Sequence, residues 1–261
     1  MPDLFSIQGK TALVTGGRRG IGLMIARGFV EAGAAVIVSS RKAAACEETA
    51  AELSQVGTCT ALPADLSQPD EVTRLAAEVT ERVGRLDILV NNAGATWGAP
   101  LDSYPMSAWD KLLDVNVKAV FALTQALLPA LRAAASAEDP ARVINIGSID
   151  GLRAPGGAEW QAETYAYSAS KAAVHHLTRV LAGRLGRDGI TVNAIAPGPF
   201  ESKMMASTLA AHADAIAEAS PLGRIGRPSD MAGTAIFLSS LAGSYLTGAV
   251  IPVDGGIATT R

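Results

Sequence analysis

Two cysteines, three histidines and 5% aromatic residues are what this chain has least of. Cys46 and Cys59 form no Cys-x-x-Cys pair, so a disulfide framework is not expected, and two reduced thiols in a cytoplasmic protein is the plain reading. His175, His176 and His212 lack acidic or cysteine neighbours at ligand spacing, which argues against a metal site. Charge is sparse as well: 22 Lys and Arg against 25 Asp and Glu leave a net −3, with no block of one sign. That balance speaks against nucleic acid or an anionic membrane as partner, while leaving room for a local basic pocket. No charged stretch leads into an apolar run at the start, and no apolar run approaches membrane-spanning length. Linkers rich in Pro, Gly or Ser, internal repeats and low-complexity segments are missing too, so one domain is expected across residues 1–261.

What the chain does have is 49% hydrophobic content, mostly aliphatic and alanine. Apolar runs at 11–14, 35–38, 58–62, 87–91, 142–146, 191–195 and 249–253 read as strands. They alternate with helical patterns near 21–32, 43–55, 68–83, 107–135, 165–186 and 229–240. Alternation without hairpin signals predicts an α/β fold: a single-domain, Rossmann-type doubly wound parallel sheet of about seven strands with helices on both faces. Right-handed crossovers then gather the loops at the carboxyl ends of the strands, where binding residues belong.

The polar and small residues do follow strands. After 11–14 comes Thr15-Gly16-Gly17-Arg18-Arg19-Gly20-Ile21-Gly22, a bare backbone turning into a helix start. Unpaired N–H groups and the positive dipole end there suit a pyrophosphate, although a tight structural turn would look similar. After the second strand stand Ser40 and Arg41, where an acidic residue would hold the ribose hydroxyls of NAD. A serine in that place, with Arg41, Arg18 and Arg19 converging from two loops, favours the 2′-phosphate of NADP(H). Asp65-Leu66 could accept from an adenine amino group or cap the next helix. Asn91-Asn92-Ala93-Gly94 permits close approach of backbone to a ligand, and its amides can fix neighbouring strands. Asn116 interrupts an apolar helical pattern and calls for a packing hydrogen bond or a bound water. Ser148 ends the fifth strand; because the run after it, with Pro155 and two glycines, does not read as a helix, an N-cap role is not expected. Tyr167 and Lys171 are four apart and share a helix face, where an ammonium lowers a phenol's pKa enough for proton transfer. Tyr165 falls on another face and reads as packing.

Taken in order, Thr15-Gly16-x-x-x-Gly20-x-Gly22, Asn91-Asn92-Ala93-Gly94, Asn116, Ser148 and Tyr167-x-x-x-Lys171 resemble the short-chain dehydrogenase/reductase family. Asn193-Ala-Ile-Ala-Pro197-Gly198 and Val253-Asp254-Gly255-Gly256 fit it too, so the likeness runs from about Lys10 to Gly256. Within the family the chain is most similar to bacterial NADPH-dependent 3-oxoacyl reductases of the branch associated with rhamnolipid synthesis. Residues 87–98 and 141–148, with Trp97 and 99–104, carry that closer likeness.

The resemblance implies roles. Tyr167 gives its proton to the forming alkoxide, Ser148 hydrogen-bonds the same oxygen, and Lys171 lowers the tyrosine pKa and holds the nicotinamide ribose. Asn116 keeps a water in line with Lys171, while Pro197, Gly198, Phe200 and Ser202 line the nicotinamide end. Residues 1–150 would form the dinucleotide-binding half, 141–261 the catalytic and substrate half, and 200–222 a mobile lid with an adaptable Met204-Met205 wall. A homotetramer built through the helices near 107–135 and 165–186 and the C-terminal strand region is implied as well. The segment 149–166 is longer than the family norm and carries Arg153, Pro155, Gly156, Gly157, Glu159 and Trp160 on the substrate side. The expected activity is reduction of a 3-oxoacyl thioester or related β-keto compound. The alternatives are a sugar, steroid or other secondary alcohol and, in another class, a non-catalytic NADP-binding regulator.

Overall fold

The computed structural model describes residues 3–154 and 163–260; residues 155–162, with Pro155, Gly156, Gly157, Glu159 and Trp160, lie outside them. Seven strands form one parallel sheet: β1 (Thr11–Thr15), β2 (Ala35–Ser39), β3 (Cys59–Ala61), β4 (Ile88–Asn91), β5 (Ala141–Ile146), β6 (Ile190–Pro197) and β7 (Val250–Val253). Their order, β3-β2-β1-β4-β5-β6-β7, reverses direction between β1 and β4. Chain crossings on opposite faces leave a crevice at the carboxyl ends of those two strands.

Alternation along the strands makes two cores. Leu13, Leu89, Val143 and Val192 point to one face, under α3 (Pro69–Val83), α5 (Ala119–Ala126), α6 (Leu128–Ala134) and α7 (Tyr165–Leu185). Val14, Val38, Val90 and Ile144 point to the other, under α1 (Gly20–Glu31), α2 (Ala43–Leu53) and α9 (Pro228–Ser239). Each of these side chains is fully removed from water, contributing about 1.5–3 kcal/mol. Helix α3 shows how local signals set its ends: Pro69 at the start, Asp70 and Glu71 in the first turn, Arg82 in the last and Gly84 at φ 64° beyond.

The single helix expected over 107–135 is instead three pieces. Helix α4 (Met106–Leu113) passes through a π-turn at Asp114–Lys118 into α5, and α6 follows after a bend of 57°. Pro129 accounts for the bend, since it has no N–H to give and its ring crowds the preceding turn. The segment 200–222 carries α8 (Ala206–Ala219), kinked at His212. No described helix is by itself long and apolar enough to cross a membrane.

Helix α7 lies against the end of β5 with almost no space between them. A Cβ on Gly147 would fall 2.0 Å from His175 Nε2, and one on Gly151 would fall 2.6 Å from the Lys171 carbonyl carbon. His175 is 2% exposed, its ring nitrogens have no partner among the described residues, and burial pulls its pKa down to about 4. Because the unfolded chain binds that proton more readily, the stability of the fold decreases as pH drops from about 6.5 toward 4. The His175→Gln variant should therefore lose about 2 kcal/mol less than the parent between pH 7 and pH 5, measured by urea unfolding at each pH.

Candidate active site

The glycine turn joins β1 to α1 and needs its glycines for two separate reasons. Gly16 has φ +66°, a conformation that side chains strain against, and a Cβ on Gly22 would fall 2.4 Å from Asn92 Nδ2 and from the Gly16 carbonyl oxygen. Asn92 lies across the turn, donating from Nδ2 to the Thr15 carbonyl at 2.8 Å. Thr15 Oγ1, at the end of β1, accepts from the backbone N–H groups of Asn92 and Ala93 at 3.0 Å each. Helix α1 starts beyond with no side chain capping it, so its first N–H groups are free to meet an anion.

Arg18, Arg19 and Arg41 converge beside this turn: the charges of Arg18 and Arg41, after burial, lower the Arg19 pKa. None of the three forms an ion pair among the described residues. Ser39 and Ser40, which end and follow β2, carry buried hydroxyl oxygens without partners. Three mutually repelling cations, with the Ser40 hydroxyl next to Arg41, form a cradle whose repulsion a phosphate would relieve and a neutral ribose would not. Asp65 accepts from the Ser67 N–H and hydroxyl at 3.1 and 2.8 Å, and Gln68 is the N-cap of α3. Asp65 thus shapes the turn without capping the helix. Leu66 is turned into the core, which leaves only its backbone to a ligand.

Tyr167 and Lys171 project from the first turns of α7 toward the end of β5. Lys171 is 5% exposed, its Nζ donates to the Ile146 carbonyl at 2.7 Å and lies 5.6 Å from the Tyr167 ring centre. Burial pulls the ammonium down to about 8. Burial also pushes the Tyr167 phenol up to about 12; a hydrogen bond to Ser148 works against this and the Asp150 charge adds to it. In the protein alone, desolvation therefore outweighs the pKa-lowering effect that the i,i+4 spacing predicts for Lys171. Ser148 is buried, and its Oγ accepts from the Asp150 N–H at 3.2 Å, capping the short 3-10 turn Ile149–Gly151. The sequence pattern missed this cap because the turn is only three residues long.

Asn116 is held by three hydrogen bonds that leave one Oδ1 lone pair open. Its Nδ2 donates to the Ala95 carbonyl (3.0 Å) and Ser170 Oγ (2.9 Å), while its Oδ1 accepts from the Ala95 N–H at 2.9 Å. The π-turn that carries it is the backbone adjustment that aims the amide at both the β4 loop and α7. Ser170, absent from the sequence candidates, completes the link by donating to the Tyr167 carbonyl at 2.7 Å; its spacing of three from Tyr167 was the available signal. Above Gly94, a Cβ would meet Asn116 Oδ1 at 3.2 Å and Lys171 Nζ at 3.7 Å, so these two groups border one small space.

The far side of the crevice is closed by the loop after β6. The Gly198 N–H bonds the Val253 carbonyl at 3.0 Å, and a Cβ on Gly198 would fall 2.6 Å from that of Asp254. Asp254 in turn accepts from Gly256 and Ala258, holding Val253-Asp254-Gly255-Gly256 under the Pro197-Gly198 turn. Ser202 comes within van der Waals reach of Gly20, so this loop meets the glycine turn. Phe200 is 2% exposed and its side chain packs on Gly226, pinning the base of the 201–225 segment, which leaves its backbone to the crevice. Met204, by contrast, is exposed.

The family described as enoyl-(acyl carrier protein) reductase matches residues 16–258. The chain is 53% identical to the rhamnolipids biosynthesis 3-oxoacyl-[acyl-carrier-protein] reductase of Pseudomonas aeruginosa, over 98% of this chain and 99% of that protein. Its structure superposes on the Pseudomonas aeruginosa RhlG/NADP active-site complex with a TM-score of 0.92 at 52% identity, covering 99% and 100% of the two chains. It also superposes on a gluconate 5-dehydrogenase from Burkholderia cenocepacia in complex with NADP and tartrate, with a TM-score of 0.90, 34% identity and 99% of each chain covered. The glycine turn, the Ser148, Tyr167 and Lys171 cluster and likeness over nearly the whole length lead to one conclusion: this chain belongs to the short-chain dehydrogenase/reductase family of oxidoreductases.

Proposed function

We propose that this protein uses NADPH to reduce the β-carbonyl of a 3-oxoacyl thioester, or a related β-keto compound, to a secondary alcohol. The convergence of Ser148, Tyr167 and Lys171 at the end of β5 carries the reading. When bound, the reduced nicotinamide supplies the hydride. As negative charge grows on the carbonyl oxygen, Ser148 Oγ donates a hydrogen bond to it and Tyr167 Oη gives up its proton. A phenol held up to about 12 is in the right form to donate at neutral pH, and an alkoxide is a strong enough base to take that proton. The Lys171 ammonium favours the phenolate left behind, and one of the two N–H groups not used on Ile146 holds the nicotinamide ribose, which leaves one for a water. The remaining lone pair of Asn116 Oδ1 and Lys171 Nζ hold a water above Gly94, from which the phenolate is reprotonated. Gly16, Arg18, Arg19, Gly20, Ile21 and Gly22 take the phosphates, with Ser40 and Arg41 on the 2′-phosphate; Asp65 and the Leu66 backbone take the adenine, and Asn92, Ala93 and Gly94 the neighbouring ribose. Pro197, Gly198 and Ser202 border the nicotinamide, and residues 200–222 act as the lid.

The thioester substrate is supported by the 53%-identical Pseudomonas relative; a polyhydroxy acid is the second reading, supported by the gluconate 5-dehydrogenase likeness. NADPH oxidation should accelerate with acetoacetyl and longer 3-oxoacyl thioesters and not with 5-ketogluconate, steroids or aromatic ketones. No acceleration by any thioester would end the first reading, and acceleration by 5-ketogluconate alone would favour the second.

We also place the protein in the cytoplasm, where its two buried free thiols, Cys46 and Cys59, stay reduced. It assembles there as a homotetramer. In support of that state, Phe121 and Val180 stand exposed on α5 and α7. Beside them is a cleft of about 150 Å³ lined by Phe121, Leu128, Leu181 and Leu185. The expected mass by light scattering is four times the 26.7 kDa chain, falling to that of smaller species in the double variant Phe121→Glu, Val180→Glu.

A further inference from the structure

The loop over 95–105 leaves the carboxyl end of β4 and carries apolar side chains that the fold leaves in water. Trp97 is 41%, Leu101 68% and Met106, at the start of α4, 73% exposed. Two side chains fasten this loop. Asn116 holds its root through both backbone groups of Ala95. Its tip is held by Glu163, two residues before α7. The Glu163 carbonyl accepts from the Ala99 N–H at 3.2 Å, and its Oε2 accepts from the Leu101 N–H at 3.0 Å and from the Tyr165 hydroxyl at 2.9 Å. Tyr165 then meets Tyr104 edge to face at 5.4 Å, and the Tyr104 hydroxyl returns to the Trp97 carbonyl at 3.2 Å. Lys111 Nζ lies 5.4 Å over the Trp97 ring, closing the set from α4.

We propose that Glu163 is a positioning residue: it locks the β4 loop to the start of the helix carrying Tyr167, so that Trp97, Tyr104 and Leu101 form a fixed apolar wall for the substrate's chain. A carboxylate suits the task because one oxygen accepts both an N–H and a phenol O–H, and negative charge is favoured just ahead of a helix N-terminus. Tyr165 changes role accordingly: its hydroxyl is tied to Glu163 and its ring supports Tyr104. The inference rests on the reading that the substrate carbonyl meets Ser148 and Tyr167.

The test compares Glu163→Ala and Glu163→Gln with the parent full chain, using acetoacetyl-coenzyme A and a ten-carbon 3-oxoacyl-coenzyme A. Glu163→Ala should raise KM for the longer thioester about tenfold, more than for the shorter one, with kcat within about twofold. NADPH affinity should not move. Glu163→Gln keeps an acceptor oxygen and should restore KM to within about threefold of the parent. Hydrogen exchange at the Leu101 amide, which is bonded to the carboxylate, should quicken about tenfold in Glu163→Ala. Faster exchange with KM unchanged for both thioesters would overturn the inference, as would unchanged exchange. If the parent reduces neither thioester, the functional reading fails while exchange still judges the clamp.

Discussion

Tyr167→Phe is expected to lower turnover by about 10²- to 10⁴-fold while leaving NADPH affinity unchanged. The substitution removes one oxygen and keeps the ring against Lys171, whose bond to the Ile146 carbonyl does not depend on the phenol. What disappears is the proton donor and one of two hydrogen bonds to the developing oxyanion; Ser148 supplies the other. Stopped-flow absorbance at the reduced nicotinamide band gives the rate, and fluorescence titration gives the affinity. Retained turnover, within about tenfold of the parent, would mean that another group or water protonates the alkoxide.

The second large effect concerns cofactor choice. Arg41→Ala should weaken NADPH by about 10- to 100-fold, equivalent to about 1.4–2.7 kcal/mol, and leave NADH nearly unchanged. Burial first, and then the charges of Arg18 and Arg41, lower the Arg19 pKa, and the Ser40 hydroxyl next to Arg41 is buried without a partner among the described residues. A dianionic 2′-phosphate relieves the repulsion among the three cations, which the neutral ribose hydroxyls of NADH cannot do. The preference should shrink in high salt, since Arg19 and Arg41 are exposed. Equal losses for both cofactors would remove Arg41 from the phosphate site.

The parts of the site that were legible in the sequence are those where a residue type is demanded locally. Gly16 and Gly22 are needed by the turn itself, because one has a positive φ and a Cβ on the other would fall 2.4 Å from the Gly16 carbonyl oxygen. The alternation of strands and helices was likewise enough for the sheet, and β1 to β7 lie within two residues of the expected ends. Less was legible where distant segments decide. The interruption of the long helix at Asp114–Lys118 depends on Asn116 reaching Ala95 and Ser170; an isolated asparagine signals trouble but not the form it takes. Phe200 and Leu66 occupy their expected loops with side chains facing the core, a distinction that spacing in short irregular segments does not carry. The Tyr167 pKa moved opposite to expectation because the i,i+4 rule counts a neighbouring charge and cannot count burial. Glu163 escaped notice because its partners, Ala99 and Leu101, lie more than sixty residues away in the chain.

The proposed chemistry is tested most directly by following the hydride itself. Purified protein is supplied with NADPH carrying deuterium at both C4 positions and with a 3-oxoacyl thioester, and the product is analysed by mass spectrometry. The account predicts a 3-hydroxyacyl thioester with one deuterium on the former carbonyl carbon, formed about 10²- to 10⁴-fold more slowly by Tyr167→Phe than by the parent. An unlabelled alcohol, or no alcohol while the reduced cofactor binds normally, would contradict it.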